Sequence, residues 1–323
     1  MYMIIDENRK RGFLRAGVSL GFHGFSCLNP VTEQWEGFDI ELARAVSSAV
    51  LGDKDFIEFI PLSSSERFEA LQNNRIDIGT YNSSITLSRE ITDKVFFTHP
   101  MLYDGEGLLA RKSEKDEKTS TWESLLFRCP RIAALKGSTS HENLIRFFQA
   151  RNLKFDIHLH KSPKDACQSY DDEECDMFCL DRYLLAGAQT TLKEPYNHEI
   201  LPYVISREAM APFVNDSDPQ WRSVTTWVMR TLIEAESLEI NSHNIDKYDQ
   251  DKKSNEYQFI NPPESILKYL RLKNNYVKSV IKSVGNYGEI FDRTLGVNSG
   301  INAPRRENRP WGHGGMLWCP NFI

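Results

Sequence analysis

Residues 58–89, EFIPLSSSERFEALQNNRIDIGTYNSSITLSR, carry the alternation that decides the fold. The apolar run 56–61 reads as a strand. Ser63 and Glu66 stand at capping-box spacing, and the helix they open turns Phe68 and Leu71 inward. Ile76 and Ile78 alternate into a further strand. Upstream, residues 13–18 are strand-like, and Asp39 can cap a helix to about residue 50, with Ile40, Ala43, Val46 and Val50 at helical spacing. This βαβαβ rhythm predicts a largely parallel sheet that receives ligands at the carboxyl ends of its strands. At such an end lies Asn82-Ser83-Ser84-Ile85-Thr86-Leu87-Ser88-Arg89, dense in hydroxyls and closed by one arginine. A guanidinium is a planar, permanently charged fork that grips a carboxylate bidentately, so the segment points to a small acidic or zwitterionic ligand.

A second unit of the same kind follows a charged separator at 112–121, with Ser120 and Glu123 as another capping box. Residues 131–135 read as a strand, 136–140 as a loop and 141–150 as a helix carrying Leu144, Phe147 and Phe148. A strand at 155–160 leads to a helix begun by Ser162-Pro163, then a strand at 175–181 and a helix at 182–189. Residues 200–204 are extended, and Asp216-Ser217-Asp218-Pro219 announces a long helix near 220–235. Residues 241–257 read as an exposed polar loop, after which the tail regains globular character.

The 323 residues suffice for two domains with sizeable cores. A net charge of −6 argues against a nucleic-acid surface, and no apolar stretch is long enough to span a bilayer. The first fifteen residues hold no signal-peptide core, since Ile4-Ile5 is followed at once by Asp6-Glu7. The six cysteines include no C-x-x-C pair, and His158 with His160 lacks a third partner, so no metal and no cofactor are expected. No G-x-S-x-G elbow supports a hydrolase triad.

Three further candidates accompany the Arg89 segment. Gly137-Ser138-Thr139-Ser140, between a strand and a helix, can bind an anion through free N–H groups, although Thr139 and Glu142 also fit a plain capping box. Asp181, closing CDMFCLD, can face the ligand crevice and take an ammonium, or can cap the following helix; local sequence does not separate the two. The aromatic loop Phe22-His23-Gly24-Phe25 can cover a ligand's carbon chain or plug a lobe.

In this order the residues resemble a family, the type-3 extracellular solute-binding proteins of amino-acid ABC transporters, and within it the general L-amino-acid-binding subgroup. The resemblance spans nearly the whole chain: RGFLRAGVSLGFHGFS, WEGFDIELARAV, EFIPLSSSERFEALQNNRIDI, NSSITLSRE, LYDGEGLLARK, GSTSHENL, CDMFCLD, VGNYGEIFDRTLG and WGHGGMLW. It implies an α/β, two-lobed periplasmic-binding-protein-like fold of type II, with two mixed, mostly parallel sheets, flanking helices and a two-segment hinge. Lobe one is then 1–109 plus 212–323, with an extension from about 240, and lobe two is 110–211; the crossovers fall near 109–111 and 210–212. The resemblance assigns the α-carboxylate to Arg89, Ser84 and the N–H groups of Ser138 and Thr139. It assigns the α-ammonium to Asp181 and the Asn82 carbonyl, and pocket shape to Phe22 and Ser64. Ser19 stands where many relatives carry an aspartate, which disfavours a narrow basic-amino-acid binder. Ile85 replaces an expected tryptophan, and Ala133 an expected cysteine that would pair with the position of Cys175.

The function so implied is delivery of a free L-amino acid to a membrane permease. The protein is expected to be a periplasmic monomer, its leader missing from this chain, without enzymatic activity. Alternatives are a cyclohexadienyl- or arogenate-dehydratase-like enzyme on the same fold and a ligand-sensing module.

Overall fold

The computed structural model describes residues 3–19, 21–112 and 126–322. The Ser120–Glu123 capping box and nearly all of the charged separator lie outside the described residues. In chain order the strands are β1 Leu14–Val18, β2 Cys27–Leu28, β3 Trp35–Glu36, β4 Ile57–Pro61, β5 Ile78–Gly79, β6 Val95–Phe97 and β7 Leu102–Asp104. They continue with β8 Glu106–Arg111, β9 Arg131–Leu135, β10 Asp156–His160, β11 Met177–Asp181, β12 His198–Ile200, β13 Glu208–Met210 and β14 Phe213–Asn215.

Two five-stranded sheets have the orders β4-β1-β5-β14-β6 and β10-β9-β11-β8-β12. Each contains two parallel pairings made by its βαβ units and two antiparallel ones made by a strand arriving from outside the unit, β14 in the first and β8 in the second. The sheets are thus mixed, and the same topology occurs twice. Between them the chain crosses through β7 and β13, which pair antiparallel with Tyr103 opposite Ala209. The first crossing therefore lies earlier than residues 109–111, because Leu109 already sits in β8 opposite Phe178. The apolar run GLLA is buried on both faces, so nothing in its pattern marks where pairing with β13 gives way to pairing with β11.

Local chemistry explains most element starts. Asp218 caps Pro219–Ser237 by accepting the Trp221 N–H at 2.9 Å, and Ser162 caps Pro163–Asp171 by accepting that of Asp165. Asp39 is no cap: its helix, Phe38–Leu51, starts after Gly37. Gly37 has φ +126, and a Cβ there would lie 2.3 Å from the Phe25 carbonyl, so glycine sets the start two residues earlier than an Asp39 cap would. Glu66 reaches back to the Ser63 N–H at 3.1 Å, but a turn intervenes and the helix is Arg67–Gln72. The strand expected from Cys175 begins at Met177. Residues 241–257 are not one loop; they hold the short 3-10 turn Ile245–Asp249, anchored by buried Ile245, and the start of helix Asn255–Ile260.

The tail clads the first sheet's outer helix. Helix Tyr276–Val284 packs on Phe38–Leu51, with the Ser48 and Ser283 hydroxyls 3.0 Å apart, and Arg293 pairs with Glu41. That cover explains why Phe38–Leu51 is buried almost all round. Farther on, fully buried Asn308 reaches the crossover: its Oδ1 accepts the Tyr103 N–H at 2.7 Å and its Nδ2 donates to the Tyr103 carbonyl at 2.8 Å. The same Nδ2 also lies 3.1 Å from the Tyr183 hydroxyl, which belongs to a helix of the second sheet.

Asn308→Ala strips both half-buried Tyr103 backbone groups of their partner, a cost of about 1 kcal/mol for each hydrogen bond lost. Urea unfolding should register ~2 kcal/mol of lost stability; a loss below ~0.5 kcal/mol, the range of an ordinary surface substitution, would contradict the strap's role.

Candidate ligand-binding site

Thr86 caps the short helix Leu87–Thr92 by accepting the Arg89 N–H at 3.3 Å. This places the Arg89 side chain back over its own loop, where Nη1 donates to the Ser84 carbonyl at 2.6 Å. Ser84 is itself fixed by a β-bridge to Met210 of β13. The buried Arg89 guanidinium lies 5.5 Å from the Phe68 ring centroid. Beside it is a second buried guanidinium, Arg67, stacked over Tyr81 at 4.6 Å and Phe68 at 4.9 Å, with Nε lacking a partner. Burial, followed by repulsion from Arg89, lowers Arg67 to about 9. Burial also lowers Arg89, against the opposing pull of Glu208 and Asp181.

Asp181 ends β11 at the N-cap position of helix Arg182–Gln189, yet its side chain makes no capping bond. Asp104 of the crossover strand does that work: its Oδ2 accepts the Tyr183 N–H at 2.8 Å, while the Gly105 carbonyl accepts that of Arg182. Asp181 Oδ1 is thereby left buried and unpartnered. Of the two readings open in sequence, capping is the one this geometry removes. Desolvation raises the Asp181 pKa well above the usual carboxylate range, with Glu106, Asp104 and Glu208 adding to the rise.

The loop at 136–140 opens helix Thr139–Gln149, with Ser138 as the cap one residue before the expected Thr139. Ser138 Oγ accepts the His141 N–H at 3.3 Å and donates to the Leu135 carbonyl at 2.8 Å. The Ser138 N–H also makes a long contact of 3.4 Å to Leu135, so Thr139, first in the helix, offers the freer N–H. Gly137, at φ +77, brings this loop against Ser65 of the first sheet's side; a Cβ on Gly137 would sit 3.6 Å from the Ser65 Cβ.

The remaining candidates are dispersed. Asn82 donates its backbone N–H to Asp39, and its side-chain Oδ1 is buried without a partner. Ser64 Oγ lies 3.1 Å from the Tyr81 hydroxyl. Ser19 is fully buried and bonded to the Ser26 hydroxyl. Buried Phe22 lines a cavity of about 380 Å³ with Pro163, Cys167 and Phe178, so it meets the second sheet's helices and no contact with Arg89 is seen. Ile85 is half-buried against the first sheet's cluster. All six cysteines are free, and among the described residues no group of three or more His, Cys, Asp or Glu could hold a metal ion.

Sequence reading missed Arg67, Glu106 and Glu208. Arg67 adjoins inward-facing Phe68, and nothing in the local sequence marks its burial. Glu106 heads an apolar run, and its opposition to Asp181 is visible only once β8 and β11 are paired.

Residues 14–246 match the bacterial extracellular solute-binding proteins, family 3, and the chain belongs to that family. It is 32% identical over 318 residues to the general L-amino acid-binding periplasmic protein AapJ of Rhizobium johnstonii, covering 98% of this chain and 92% of that one. It is 29% identical over 319 residues to the glutamate/glutamine/aspartate/asparagine-binding protein BztA of Rhodobacter capsulatus, covering 98% and 93%. Among solved structures, an ABC transporter/periplasmic binding protein from Brucella ovis with glutathione bound superposes with a TM-score of 0.95 at 29% identity, covering 100% of both chains. The fold is that of the type II periplasmic binding proteins.

The acidic groups make stability pH-dependent. Asp104 and Glu106 are raised to about 7, chiefly by burial, so the folded chain holds protons that the unfolded chain has lost. Stability must therefore fall as pH rises through 7. The buried histidines act oppositely, but their folded pKa values are lowered and their effect is complete once pH exceeds the ordinary histidine value. Calorimetric melting from pH 5.5 to about 8 should show the wild-type Tm falling relative to that of Glu106→Gln, in which the histidine contribution is the same; parallel curves would contradict the assignment.

Proposed function

We propose that this chain is the periplasmic substrate-binding component of an amino-acid ABC importer. It binds a free L-amino acid between its two lobes, closes around it and presents it to membrane permease subunits. The observation that carries this reading is the opposition of buried Arg89, held by the first sheet's loops, to buried, unpartnered Asp181 at the end of a second-sheet strand. A zwitterion satisfies both at once: Arg89 takes its carboxylate, helped by Ser84, Ser138 and Thr139, and Asp181 and Asn82 take its ammonium. Since the two charges belong to different lobes joined through β7 and β13, the ligand contacts the closed form more fully than the open one. That difference in contact is what shifts the population toward closure.

Relatives named for amino-acid binding support the ligand class and the transport role. In this reading the protein acts as a monomer, needs no cofactor and leaves its ligand chemically unchanged, so incubation with prephenate or arogenate yields no product. Ser64 and Phe22 shape the space for the side chain. Arg67 disfavours cationic side chains, and Ser19 offers no carboxylate to hold one.

Titration calorimetry over the common L-amino acids is the test. Arg89→Ala should weaken binding by about 3–5 kcal/mol, the cost of stripping one partner from a buried pair. Arg89→Lys should fail substantially too, because a point charge loses the two-pronged geometry. Binding near wild type in Arg89→Ala contradicts the grip. In the same panel L-lysine and L-arginine should bind more weakly than L-glutamine or L-glutamate; a preference for the basic pair would remove Arg67 from the pocket.

A further inference from the structure

Glu106 is fully buried, and neither carboxylate oxygen has a partner at full hydrogen-bond geometry, although Asn143, Ser140 and Ser206 lie close enough to favour its charged form. The nearby donors are spent elsewhere: Asn143 Nδ2 and Ser206 Oγ both give to Glu208 Oε1, at 3.2 and 2.5 Å. Glu106 stands directly opposite Asp181 in the antiparallel pair of β8 and β11. Directly opposed residues project from the same face with Cβ atoms roughly 4.5–5.5 Å apart, and like charges so placed repel. Asp181 Oδ1 and the Glu106 carboxylate thus stand at facing positions of one strand pair, which is more acceptor than Asp181 alone supplies.

The charged surroundings come from every neighbouring element. Crossover strands β7 and β13 contribute Asp104 and Glu208, both like-charged, and the Cys179 thiol lies on β11 itself. The cations Arg182 and Arg306 act on Asp104, while Arg89 and, beside it, Arg67 are the cations that act on Asp181. Helix Thr139–Gln149 turns only the neutral Ser140 and Asn143 toward Glu106. Burial and repulsion together raise both carboxyls, Glu106 to about 7.

We propose that Glu106 and Asp181 form a two-carboxylate receiver for the ligand's ammonium, holding one proton between them until the –NH3+ arrives and then releasing it to solvent. This deepens the amino-acid-binding reading and rests on it. An ammonium carries three N–H donors, and the pair offers acceptors that the protein itself leaves unused. No bond in the ligand changes; one proton leaves the carboxyl pair as one cation enters. Affinity then climbs with pH, because at low pH the ligand must displace the proton.

The test uses L-glutamine as the probe, whose side chain does not titrate in this range. Wild-type affinity should rise about tenfold from pH 6 to pH 8, and calorimetry in buffers of different ionisation enthalpy should count close to one proton released per ligand at pH 6. Glu106→Gln keeps the shape but cannot ionise. It should bind like wild type at pH 6 and about tenfold more weakly at pH 8, with proton release abolished. A residue of purely structural importance would lower affinity equally at both values. A pH-independent wild-type affinity, or a pH slope that survives in Glu106→Gln, overturns the proposal. Carbon NMR of ligand-free protein labelled at glutamate carboxyls reads the pair even if L-glutamine fails to bind. A resonance titrating near neutrality and missing from Glu106→Gln supports it, and its absence overturns it. A failed panel with that resonance present would count against the amino-acid reading alone.

Discussion

The helix Arg182–Gln189 has its first N–H groups satisfied from outside its own chain segment, and much of the cleft's chemistry depends on that substitution. Asp181 occupies the cap position, where an aspartate ordinarily spends its carboxylate on the helix. Because Asp104 reaches across from the crossover strand and accepts the Tyr183 N–H at 2.8 Å, the Asp181 carboxylate is not spent on the helix and its Oδ1 stays unpartnered. The crossover strand thus both links the sheets and leaves Asp181 free for the ligand role proposed for it. The tail reinforces it, since Asn308 clasps Tyr103, the residue just before Asp104.

On the opposite wall the charges are inverted. Arg67 and Arg89 share Phe68 as a stacking platform, and burial weakens the hold of each on its proton. Burying charge without a partner is costly, and natural interiors tolerate it chiefly where a ligand completes the pairing. Guanidinium groups on the first sheet's side and carboxyl groups around β8 and β11 form a field that suits the small dipolar ligand proposed here.

Much of this was legible in sequence. Residues 131–135 form the strand their apolar run implies, and Ser162-Pro163 and Asp218-Pro219 open helices where their capping signals imply, because both kinds of signal act locally. Arg89 stood out because hydroxyls surround it. What stayed hidden depends on pairing across the chain. The first crossover precedes β8, and GLLA, apolar on both faces, carries no mark of it. Asp39 looked like a cap until Gly37, pressed against Phe25, was seen to start the helix. Glu106 acquires meaning only from its register with Asp181, and Arg67 only from the rings of Tyr81 and Phe68.

The central claim is that Arg89 and Asp181 hold the two ends of one zwitterion, and a crystal structure with an L-amino acid bound tests it most directly. The account predicts the ligand carboxylate in a two-pronged contact with Arg89 and its ammonium on Asp181, each at about 2.7–2.9 Å. An amino acid seated elsewhere, or one whose ammonium avoids Asp181, would contradict it.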